Sequence, residues 1–103
     1  MRRSDSLVAL AVILMQRPNE EHWGYDLSRA ANLRSGVLYP ILKRLLDEKW
    51  ATDGWENIDP KVEGRPARRF YKLTELGLIE LGALAATAPR PTTTVPLTNP
   101  RFA

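Results

Sequence analysis

One histidine and no cysteine leave this 103-residue chain little equipment for making or breaking bonds. Disulfides, thiolate metal sites and a cysteine nucleophile are excluded outright. The histidine, His22, follows Glu20 and Glu21, a cluster that reads as an acidic solvated loop before it reads as a metal site. No nucleophile–base pair stands out, so the chain is not expected to be an enzyme or to carry a cofactor. The residues that do suggest chemistry are cations. Lys61, Arg65, Arg68, Arg69 and Lys72 set five positive charges against one acid, Glu63, within twelve residues. Guanidinium and ammonium groups so placed can straddle phosphates or enter a minor groove. A second group, Arg34, Ser35, Gly36, Tyr39, Pro40 and Lys43, gathers around the start of an amphipathic run. There a phosphate or a base edge would meet free helix amides and a partial positive charge. Trp23, Trp50 and Trp55 could line an aromatic ligand site, but core or interface packing explains them more simply.

Several elements must position these residues. Ser4 or Asp5 can cap a first helix that runs to about Gln16 and stops at Pro18. Its centre, residues 7–15, is apolar on every side. At nine residues it is far short of the ~20 that span a bilayer as a helix. It is not followed by a small-residue cleavage site, so it reads as a buried helix rather than a signal peptide. A domain this small rarely wraps a helix completely, so a second subunit is expected on the outer face. A second helix fits residues 24–31. A third starts with Ser35 as its cap and reaches about Lys49, with Leu38, Ile41, Leu42 and Leu45 on one stripe. Two strand-like runs follow, residues 50–58 and 67–73, joined by a stretch of turn composition from Asp59 to Pro66. Thr74 can cap a last helix to about Thr87, its apolar residues being Leu76, Leu78, Ile79, Leu81 and Leu84.

Between the second and third helices the pattern fits a helix-turn-helix. Such a crossing needs small residues where the helices touch, which Ser28 and Ala31 supply. Its turn needs a residue tolerant of positive φ, and Asn32 is well suited. Leu27, Leu33, Leu38 and Ile41 supply the clamp. Pro40 lies beyond the free amides of the third helix and forfeits about one hydrogen bond. Helix, helix, turn, helix, hairpin, helix is the order of a winged helix, mainly α with a small β-hairpin.

Length and composition agree. The chain is expected to form one domain over residues 1–87, its 44% hydrophobic content being enough for an ordinary core. Residues 88–103, rich in Pro and Thr, are expected to be a flexible tail. The formal charge of +3 and a pI near 9.6 are mildly basic, which by itself is weak evidence for nucleic acid. A cytoplasmic setting fits the absence of disulfides, and no membrane association is expected.

Three segments carry a resemblance. Gly24-Tyr25-Asp26-Leu27, Ser35-Gly36-Val37-Leu38-Tyr39-Pro40-Ile41-Leu42-Lys43-Arg44-Leu45 and Gly64-Arg65-Pro66-Ala67-Arg68-Arg69-Phe70-Tyr71-Lys72-Leu73-Thr74 resemble the PadR family of transcriptional regulators. The similarity extends over about residues 7 to 86. It implies a homodimeric winged-helix repressor bound to a palindromic operator in double-stranded DNA, nucleoid-associated when bound. In some members a small aromatic or drug-like effector releases the DNA. Two departures stand beside it. The connection Asn32-Leu33-Arg34 is shorter than in many members. Pro89 stops the last helix where members usually continue into a long helix that clasps the partner subunit. Two other readings share the scaffold: a small architectural or excisionase-like DNA-binding protein, and a winged-helix protein-interaction module that does without DNA.

Overall fold

The computed structural model describes residues 3–89. Five helices and three strands follow one another as α1 (Asp5–Gln16), β1 (His22–Trp23), α2 (Gly24–Ala31), α3 (Ser35–Asp47), β2 (Ala51–Trp55), α4 (Pro60–Glu63), β3 (Arg69–Leu73) and α5 (Glu75–Ala85). The tail expected from residue 88 lies, from residue 90 on, outside the described residues.

Local chemistry explains most of the boundaries. The Ser4 side chain accepts from the Leu7 amide to start α1, and Thr74 does the same from Gly77 for α5. Asn32 ends α2 in the left-handed conformation at φ 55°, as its type suggested. Its own amide and that of Leu33 then close on α2 carbonyls, while Ser28 Oγ donates to the Leu33 carbonyl at 2.5 Å. Thus the tight turn is held by the same small residue that lets the helices approach.

Four expectations need correction. Ser35 is the first residue of α3 rather than its cap; Arg34 takes the cap position in extended conformation, without a side-chain hydrogen bond. The helix ends at Asp47, and Lys49 turns the chain at φ 65° instead of continuing it. The segment of turn composition contains a short helix, α4, capped by Asp59 and closed by Gly64 at φ 71°. Both hairpin strands are shorter than the runs 50–58 and 67–73, because pairing ends where Trp55 meets Arg69. The hairpin also has company. His22 and Trp23 pair antiparallel with Tyr71 and Phe70, making a three-stranded sheet in the order β1-β3-β2.

The core forms where α1, α2, α3 and α5 meet the inner face of the sheet. Leu7, Leu10, Leu14, Leu27, Leu38, Leu42, Leu45 and Leu81 fill it, with Trp50 and Tyr71 at its edge. Helix α1 is covered on more sides than a domain of this size led one to expect. Val8 is buried along with Leu7, Leu10, Ala11 and Leu14, and of the helix's apolar residues Ala9, Val12, Ile13 and Met15 remain half-buried. Large apolar residues instead surface on α5, where Leu76 and Ile79 are exposed. Among the described residues no helix is long and apolar enough to cross a membrane.

The sheet is fastened to α5 at one point of very close approach. A Cβ at Gly77 would overlap the Trp50 carbonyl oxygen. Only glycine lets the first turn of α5 lie on that backbone. Thr74 reinforces the joint: its amide donates to Trp50 O at 3.0 Å and its hydroxyl to Lys49 O at 2.6 Å. The hairpin is therefore tied directly to the end of α3.

Candidate nucleic-acid interface

Helix α3 buries Leu38, Leu42 and Leu45 and turns its other side outward. On that side Arg34, Ser35, Gly36, Val37, Tyr39, Pro40 and Lys43 are all exposed. The first-turn amides are partly occupied, since those of Val37 and Leu38 both close on the Arg34 carbonyl. Pro40, inside α3, has no N–H to give the Gly36 carbonyl. Nothing lies within 4 Å of a Cβ at Gly36, so the space there is open to an approaching partner. Lys43 reaches Asp47 one turn on at 3.3 Å, an exposed pair of little energetic weight.

Tyr39 is better anchored than its exposure of 47% suggests. Its hydroxyl end lies over Gly24, where a Cβ would strike it. With Trp23, Tyr25, Tyr71, Arg68 and Arg69 it lines an open cleft of about 270 Å³ between α2, α3 and β3. Trp23 packs edge-on against Phe70 at 5.7 Å, and the Arg68 guanidinium stands over the indole at 5.1 Å. Arg69 stands over Tyr71 at 5.5 Å. Stacking of this kind fixes the planes of the guanidinium groups while leaving their edges able to donate. Burial, the largest influence, pushes the Tyr71 phenol up.

The hairpin cations divide into two kinds. Arg65 grips Glu56 with both terminal nitrogens, at 2.6 and 3.1 Å, and Arg68 Nη2 reaches the same carboxylate at 3.2 Å. Hydrogen bonds from Arg65 and then Arg68 hold the Glu56 carboxyl at about 2, well below its ordinary value of 4.5. Arg69 donates through Nε to Asp53 at 2.6 Å and pairs with it through Nη2 as well. Asp53 sits diagonally across the β2–β3 ladder from Arg69, within reach of a long side chain. Lys61 and Lys72, both exposed, make no ion pair among the described residues.

All the expected interface residues thus lie on α3 and the hairpin or at their edges. The sequence reading missed others. Val37 is exposed because it falls just off the buried stripe, and Tyr25 is 67% exposed at the start of α2 beside Arg29. An aromatic residue outside the apolar period was the available signal for Tyr25. The three tryptophans do not form one site, since Trp50 is in the core and Trp55 is 67% exposed. Glu20, Glu21 and His22 hold no metal-like cluster among the described residues. Instead His22 is buried with Nε2 donating to the Arg17 carbonyl at 3.0 Å.

A family model described as the transcriptional regulator PadR-like family matches residues 13–83. The chain belongs to the PadR-like family of transcriptional regulators. PadR-like proteins are DNA-binding regulators and not enzymes, which agrees with the absence of catalytic pairings in the sequence. Several solved structures share the fold. A Streptococcus mutans protein superposes with a TM-score of 0.65 at 24% identity, covering 82% of this chain and 79% of that one. A circadian clock associated protein, Pex, from Anabaena matches at 0.61 and 27% identity, covering 79% and 74%. A PadR-like transcriptional regulator from Bacillus cereus matches at 0.59 and 26% identity, covering 79% and 78%. No curated protein matches in sequence.

Proposed function

We propose that this PadR-like chain works as a homodimeric repressor that reads a palindromic operator in double-stranded DNA. Helix α3 enters the major groove, with Ser35, Gly36, Tyr39 and Lys43 near base edges or phosphates. The hairpin lies on the flanking backbone through Lys61, Arg65, Arg68, Arg69 and Lys72. The observation that carries this reading is the exposed side of α3, whose Tyr39 shares one cleft with the hairpin cations Arg68 and Arg69. A dimer places two such helices about one helical turn of DNA apart, and bound there it blocks access to a promoter.

The test separates positioning from reading. Lys72 is exposed and unpaired among the described residues. Lys72→Ala is therefore expected to weaken operator and random DNA alike and to flatten the salt dependence of binding by ~0.9. Tyr39→Ala and Lys43→Ala are expected to cost the operator ~1–3 kcal/mol more than random DNA. Equal losses on both DNAs for all three variants would mean that α3 does not read sequence.

A further inference from the structure

The hairpin is far less positive than its own cations suggest. Across residues 51–73, Lys61, Arg65, Arg68, Arg69 and Lys72 give +5, while Asp53, Glu56, Asp59 and Glu63 give −4, a net of +1. Glu56 matters most among these acids. Its carboxylate receives Arg65 twice, Arg68 Nη2, and the Arg68 amide at 3.3 Å. Its side chain is 14% exposed beneath the guanidinium groups of Arg65 and Arg68, which are 39% and 57% exposed. A phosphate can reach these arginines from outside but finds each already facing an anion.

We propose that Glu56 is an internal stand-in for phosphate that competes with DNA for two hairpin arginines and so limits how tightly the hairpin grips the DNA backbone. This rests on the DNA-binding reading above. Binding to random sequence depends almost wholly on how many phosphates are neutralised. Operator binding has base contacts in addition. The phosphate contribution is common to both, so competition for two arginines lowers both affinities by about the same factor. The backbone keeps Glu56 in place independently, because its amide donates to the Arg68 carbonyl at 2.7 Å. A neutral glutamine of nearly the same shape keeps one acceptor oxygen and loses both the second acceptor and the charge.

Glu56→Gln tests this with two duplexes, one of random sequence and the tightest-binding one recovered by selection, each titrated across a salt series. Affinity for the random duplex is expected to rise about ten-fold, with the salt slope steeper by ~0.9 for each arginine released. Affinity for the selected duplex should rise by about the same factor, so that the ratio is kept. Adding Arg65→Ala and Arg68→Ala to the Glu56→Gln protein should abolish the gain. Unchanged or weaker random binding overturns the proposal, as does a gain that survives loss of both arginines. A melting curve for each variant separates weaker binding from unfolding; a folded Glu56→Gln protein with reduced affinity shows that Glu56 positions the arginines instead. Wild-type protein that binds neither duplex would contradict the DNA reading itself, whereas wild-type binding with no gain in the variant contradicts this proposal alone.

Discussion

Gly24 and Tyr39 are coupled through space. A Cβ at position 24 would meet the far end of the Tyr39 side chain, the phenol oxygen, not backbone. Gly24→Ala should therefore leave the fold intact and push Tyr39 out of its place beside Trp23 and Tyr71. Its cost should appear as lost discrimination between operator and random DNA, measured by titrating both, with little change in melting temperature. Gly77 presents the opposite case. Its neighbour is the Trp50 carbonyl, which cannot turn aside. Gly77→Ala should destabilise the domain by about 1–3 kcal/mol or more, the usual cost of overpacking. Urea unfolding checks this, and a loss below the low end would mean that α5 can slide away from β2 freely.

Charge and register act together at the scale of the elements. His22 anchors β1 from inside the protein, and burial is the main influence pulling its pKa below the usual 6.5. The folded state therefore favours the neutral ring, and the unfolded chain binds more protons once pH drops beneath 6.5. Stability should fall as pH goes from about 7 toward 5, and His22→Gln should flatten that part of the melting curve. Glu56 behaves oppositely in mechanism and lower in range. Its folded pKa is depressed, so its stabilisation is complete above about 4.5 and is lost as pH falls toward about 2. A Glu56→Gln protein should lack that acidic component while keeping the one from His22. The helices could be read in advance because caps, Asn32 and the apolar stripe of α3 act within a few residues of one another. Strand β1 could not, since two residues carry no alternation. The four-residue α4 hid in turn composition for the same reason. The pairing of Arg65 and Arg68 with Glu56, and of Arg69 with Asp53, escaped a strand-by-strand reading because it depends on the β2–β3 register. Counting only residues 61–72 made the hairpin look strongly basic, while its acids waited on the opposite strand and at the α4 cap.

Over the whole molecule the unsettled surface is apolar. Leu76 at 44% and Ile79 at 66% exposure lie on α5, against which α1 packs. These two side chains, one turn apart, are where the proposed second subunit would pack. Sedimentation at micromolar concentration should give about twice 11.7 kDa. Because Ile79 is so exposed, Ile79→Glu should shift the protein to monomer without unfolding it, and a purely monomeric wild type would remove the dimer from the account. Dimerisation matters because the central claim is that two copies of α3 read two inverted half-sites. Selection of binding sites from random DNA with the purified protein tests that claim most directly. The account predicts enrichment of an inverted repeat with half-site centres about one helical turn, ~10 base pairs, apart. Binding without any enriched sequence, or enrichment of a single unpaired site, would contradict it.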